Sequence, residues 1–219
     1  MTNRYQDFFP ERVNCRVPGL SYAADMALGT PLRVEFGTPA TSSGSAVGTW
    51  TLATAAQTIT TGLPVTMTER WGRVLQMSGN GTAANATVTV NGRDYLNQRM
   101  SETFVLVSTT AQAGDKAFKY VDSVVAGSNA NATDILRVGT RDEFGLPYSA
   151  VALVSSLMNG ETAGAHTLVV RDATSPATAT TDDPRGTITL STAANGTRTF
   201  AAVVVLDTSQ LHGIAHYAA

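Results

Sequence analysis

The chain carries a single cysteine, Cys15, among its 219 residues. No intrachain disulfide and no cysteine-based metal site is therefore open to it, and synthesis in a reducing compartment is expected. Charge is also scarce. Charged residues make up 15% of the chain, against about a quarter in a typical soluble domain. Sparse charge protects a surface poorly against association, so it suits a protein that sits against partners. An ordinary β domain surfaced with Thr, Ser and Asn gives the same figure. Lysine is nearly absent: of 15 cationic residues, Lys116 and Lys119 are Lys and the rest are Arg. Arginine forks suit interfaces, although a GC-rich genome produces the same bias.

The net charge of −2 leaves no basic footprint for nucleic acid or an anionic membrane surface. No apolar run reaches the about 18 residues of a membrane-spanning helix. The opening stretch, Met1 to Pro10, has no apolar signal-peptide core, so no secretion leader is expected. The Asn-X-Thr triplets at Asn80, Asn85, Asn131 and Asn195 then read as turn chemistry, not glycosylation.

What is present is β sequence punctuated by turns. From about Trp50 to Leu206, short runs of Val, Ile, Thr and Phe alternate with Asn-Gly, Gly-Asn and Ala/Ser/Thr-rich breaks. Candidate strands fall at 48–54, 58–61, 71–78, 86–90, 102–107, 116–125, 134–139, 149–157, 165–171, 186–190 and 199–206, with 149–157 equally open to a short helix. Val88 and Val90 share one face of an alternating strand, and Asn91-Gly92 predicts a two-residue hairpin turn after it. Residues 102–107 are apolar on both faces, which predicts a central, doubly covered strand. In 116–125, Asp122 breaks the phase set by Phe118, Tyr120 and Val124. The last two runs predict a terminal hairpin around Asn195-Gly196. Closely spaced strands without long helices predict an all-β fold, an antiparallel β-sandwich or jelly-roll-like domain over 48–219.

Residues 1–47 differ. They contain Tyr5, Phe8, Phe9, Tyr22 and Phe36 without sustained periodicity, and Pro10, Pro18, Pro31 and Pro39 interrupt them. An extended, mostly irregular N-terminal arm is expected, with a helical turn or two at 21–28 and a boundary in the Ser/Thr/Gly-rich stretch 38–48. Such an arm buries its rings only against the β body or against a neighbour, and Tyr5, Phe8, Phe9 and Tyr22 are the candidate partner-interface residues.

Chemistry is thinly represented. Asp182 and Asp183 are adjacent, so a strand would point them to opposite faces, and Asp142 and Glu143 lie beside Gly145 and Pro147 in a similar turn setting. His212 and His216 have i, i+4 spacing, but Gly213 lies between them and no acid follows Leu211. His166 and Cys15 have no partner in sequence. No catalytic, cofactor-binding or metal-binding residue is assigned and no cofactor is expected. Trp50, Trp71, Tyr95 and Tyr148 have the chemistry of a glycan-stacking platform; packing in a core or subunit interface is the other role open to them.

Three segments in order, Asn91–Phe104, Gly114–Val124 and Val138–Tyr148, followed by Asp183–Thr187 and Asn195–Phe200, resemble virion structural proteins of tailed bacteriophages. The resemblance is to small β-rich head proteins of the cement or decoration type. It implies a non-enzymatic subunit made in the bacterial cytoplasm and carried on the capsid surface. It implies the major capsid protein and further copies of itself, as a homotrimer, for partners. A tail, collar or fibre component, a receptor- or glycan-binding β module and an enzyme such as a depolymerase are the alternatives.

Overall fold

The structure, a computed structural model, describes residues 31–64, 66–81 and 84–215. Tyr5, Phe8, Phe9, Tyr22, Cys15, His216 and the helical turn expected at 21–28 lie outside the described residues.

The described chain is all-β, without a helix among the described residues. Its strands are β1 (Pro31–Gly37), β2 (Gly48–Thr51), β3 (Gln57–Ile59), β4 (Arg73–Gly79), β5 (Thr87–Arg93), β6 (Arg99–Val105) and β7 (Gln112–Phe118). They continue with β8 (Tyr120–Ala126), β9 (Ile135–Gly145), β10 (Ala150–Met158), β11 (Glu161–Thr162), β12 (Thr167–Val169), β13 (Thr187–Thr189) and β14 (Phe200–Leu206). One sheet runs β1-β14-β10-β11, a second β12-β13-β9-β4-β7 with β2 also on β9, and a third β3-β8-β5-β6. Every pairing between named strands is antiparallel. The arrangement is sandwich-like, with the second sheet in the middle.

That central position follows from β9, which spans 11 residues. Its first half sends Leu136 and Val138 into a core shared with Val88, Val90, Phe104 and Val124 of the third sheet. Its far end sends Phe144 into a second core with Val34, Phe36, Phe200 and Val204 of the first sheet. Each large side chain fully buried in this way contributes about 1.5–3 kcal/mol relative to exposure.

Alternation is realised where it was expected. In β5, Val88 and Val90 are buried, whereas Thr87 is exposed and Thr89 half-buried. Residues 149–157 form a strand, because β10 pairs along β14 from Ala150↔Leu206 to Met158↔Phe200.

Four expectations are corrected. The chain does not turn at Asn91-Gly92: β5 runs through both residues, and the turn lies at Asp94–Gln98. There the Asp94 carboxylate accepts from Gln98 N at 2.8 Å and Asn97 takes the positive φ of 65°. Gly92 is needed for a different reason, since a Cβ there would lie 2.1 Å from the Tyr120 carbonyl oxygen.

Residues 102–107 are not central. β6 is the edge of its sheet, and Val105 and Val107 are 59% and 52% exposed. Residues 116–125 are two strands in different sheets, and the chain crosses between them at Lys119, whose ammonium donates to the carbonyls of Met67 and Glu69 at 2.6 and 2.8 Å. Within β8 the register slips: Asn91 faces Ser123 while Gly92 faces Val121, so Asp122 is the extra, outward residue of a bulge. The phase break at Asp122 is that bulge, and its carboxylate pairs with Arg93 at 2.9 Å. Finally, β13 and β14 form no hairpin; β13 pairs with β12 and β9, and β14 pairs with β1 and β10.

Within the stretch expected to be irregular, Pro31–Gly37 forms β1 and pairs with β14. Its alternation is short but real, with Val34 and Phe36 buried and Arg33 and Glu35 exposed. The loop after it lies tightly on β9: Ser43 O accepts from Thr140 N at 2.8 Å, and a Cβ on Gly139 would lie 2.0 Å from that same oxygen.

Candidate binding cleft

The acidic pairs noticed in the sequence serve the fold. Asp183 is buried, and its two carboxylate oxygens accept from the backbone N–H groups of Ala117, Arg185 and Gly186 at 3.1, 2.8 and 3.1 Å. Asp182 beside it is exposed. Asp142 and Glu69 flank the buried Arg73 guanidinium, each at 2.8 Å. Glu143 accepts from the Thr187 hydroxyl at 2.6 Å. His166 is buried with its Nδ1 accepting from Ser191 N at 3.1 Å, and burial holds its pKa below the ordinary value. No group of three or more His, Cys, Asp or Glu side chains suited to a metal ion occurs among the described residues. Asn195 shows the turn chemistry expected of its triplet, accepting from the N–H groups of Thr197 and Arg198 at 3.1 and 2.9 Å.

Three of the four aromatic side chains singled out in the sequence converge. Trp71, Tyr95 and Tyr148 line one open cleft of about 410 Å³, together with Leu32, Arg33, Glu35, Arg70, Leu96 and His212. Trp50 does not join them; it packs against the other core.

Local backbone chemistry brings the three together. Trp71 enters β4 through Gly72, which has φ +87° and so close an approach to Phe118 that a Cβ would lie 2.9 Å from its carbonyl. At the end of β9, Gly145 leaves room for the Trp71 carbonyl oxygen, which a Cβ would approach to 2.5 Å. Tyr95 sits at the β5–β6 turn and Tyr148 at the β9–β10 turn. The chain after β14 delivers His212 to Tyr148, with ring centroids 5.7 Å apart.

The aromatic wall is held rigidly. The Trp71 indole donates to Glu35 O at 3.1 Å, tying the wall to β1. Tyr95 meets Trp71 edge-on at 5.2 Å and 87°, a favoured aromatic geometry. The Tyr95 hydroxyl donates to the Pro147 carbonyl. On its other side stands Arg185, 4.9 Å from the ring and paired with the buried Asp94 at 2.8 Å. Burial, opposed by Arg185, pushes the Tyr95 phenol up to about 12, so it remains a neutral donor at any physiological pH.

The rim is polar. Arg33 and Glu35 pair with each other at 3.2 Å on the exposed face of β1. The Arg70 guanidinium lies 4.5 Å from the Trp71 ring and has no carboxylate partner among the described residues. The sequence pointed to the three rings and noted His212 only for its spacing to His216. Arg33, Glu35 and Arg70 carry no motif; Arg70 reaches the cleft as the neighbour of Trp71, while Arg33 and Glu35 reach it through β1. The arrangement offers an aromatic wall in which Trp71 and Tyr95 stand nearly perpendicular, a guanidinium lying over the indole, and a mixed rim of donors and acceptors. No protein-family model, curated protein or solved structure matches this chain.

Proposed function

We propose that this protein is a non-enzymatic structural subunit of a bacteriophage particle, a cement or decoration protein that binds the major capsid protein and stabilises the head shell. What carries the reading is the placement of exposed apolar side chains on sheet edges. Val105 and Val107 lie on and just beyond the edge strand β6, and Val169 and Val170 on and just beyond the edge strand β12. Thr103 N already donates to Ala179 O at 2.9 Å, so what β6 leaves open is its end at Val105 and Val107. Sheet edges are usually blunted with charge, since an exposed apolar edge invites pairing with another chain. A body with low charge and apolar edges suits a life against neighbours, as the resemblance over residues 91–200 implies. Its partners are the major capsid protein and its own copies in a homotrimer, with no role for nucleic acid, membrane or cofactor.

In this reading Tyr5, Phe8, Phe9 and Tyr22 anchor the subunit on the particle. The test is a deletion ending at residue 30, which spares β1 and its pairing with β14. The truncated protein should keep its β circular dichroism and lose binding to particles. Undiminished occupancy of particles by the truncated chain would overturn the anchoring role.

A further inference from the structure

We propose that the Trp71–Tyr95–Tyr148 cleft is a binding site for an acidic sugar residue of a polysaccharide, a property additional to the structural role. Its size falls at the lower end of the about 300–1,000 Å³ of small-molecule sites. Its wall is aromatic and rigid, braced by the Trp71–Glu35 hydrogen bond and the edge-on Trp71–Tyr95 contact. The apolar C–H face of a pyranose fits such a wall, and burying it there removes both surfaces from water.

The rim decides the class of sugar. Arg33 is engaged by Glu35 at 3.2 Å, so those two together present a nearly neutral hydrogen-bonding pair suited to hydroxyl groups. Arg70 is exposed and leans on the Trp71 ring at 4.5 Å, without an acid to neutralise it among the described residues. A guanidinium fork that lies over the Trp71 ring and is itself exposed is matched to a carboxylate carried on a sugar ring packed against Tyr148. A neutral sugar would use the wall and leave the fork unanswered; a hexuronic or sialic acid uses both.

The experiment is titration calorimetry of the full chain against trimers of galacturonic acid, glucuronic acid and N-acetylneuraminic acid, with maltotriose as the neutral control. At least one acidic trimer should bind, tighter than maltotriose by about tenfold, and more weakly as salt rises. R70Q should erase that preference while leaving the melting temperature unchanged. Tyr148→Ala should weaken acidic and neutral sugars alike. Failure of all three acidic trimers, equal binding of maltotriose, or wild-type behaviour of R70Q would each overturn the proposal. So would binding that appears only after residues 1–30 are removed, because the cleft would then be covered by its own chain. None of these results depends on whether the protein occupies a phage head, so the two proposals fail separately.

Discussion

Replacing Glu102 by Gln should stabilise the protein, and by an amount that grows with pH. Glu102 lies on β6 and is 4% exposed. One of its oxygens accepts from Asp115 N at 2.5 Å, and the other has no hydrogen-bond partner among the described residues. Burial pushes the carboxyl up to about 8 from an ordinary 4.5, outweighing the Asp115 hydrogen bond and the nearby Lys116 charge. Folding therefore takes up a proton at Glu102 between those two values. The raised acid leaves stability intact below pH 4.5 and erodes it as pH rises toward 8. The slope is about 1.4 kcal/mol per pH unit, so the wild type loses on the order of 3 kcal/mol between its unfolded pKa and neutrality. Gln keeps an oxygen for the Asp115 N–H and cannot ionise. It breaks no ion pair that the fold relies on, since the buried Lys116 ammonium donates to the carbonyls of Ser101 and Thr178. A buried amide N–H without an acceptor costs about 1–3 kcal/mol in return. The net gain should therefore be about 1–3 kcal/mol near pH 8, vanishing or reversing near pH 4. For a chain of this size 1 kcal/mol moves the melting temperature by about 2–4 °C, so scanning calorimetry of both proteins from pH 4 to 9 resolves it. A difference that stays constant with pH, or Gln destabilising throughout, would refute the reasoning.

Other perturbations follow from the same packing. Arg73→Met strips the counter-charge from Glu69 and Asp142 in a buried setting; it should cost about 3–5 kcal/mol, read as a lowered urea midpoint. Gly92→Ala drives a Cβ to 2.1 Å from the Tyr120 carbonyl, and should cost about 1–3 kcal/mol or more, again by denaturant titration. Val105→Lys on the exposed edge β6 should leave the melting temperature within a degree or two and weaken the self-association proposed above, measured by sedimentation equilibrium.

The strands were legible because their chemistry is local. Val88 and Val90 alternate with Thr87 and Thr89, and the sheet buries the valine face. What escaped is set by tertiary partners. Asn91-Gly92 has turn chemistry, yet the Asp94 carboxylate closes a turn just beyond it, and the bulge at Asp122 makes glycine necessary for close approach. Apolar residues on both faces of 102–107 suggested a covered strand, but the strand lies on an edge and its outer valines stay exposed. The run at 186–206 holds two strands that join different sheets, a choice that no pattern within either strand encodes. The cleft was half legible. Aromatic type marked Trp71, Tyr95 and Tyr148; Arg70 comes with Trp71 as its chain neighbour, whereas their company with Glu35 depends on contacts between residues far apart in the chain.

The structural role is tested most directly by imaging the native particle with this subunit labelled, which reports location and copy number together. A cement protein predicts many copies spread over the head shell in register with the major capsid protein. Label confined to a few copies at the tail or collar, or absent from particles altogether, would contradict the account.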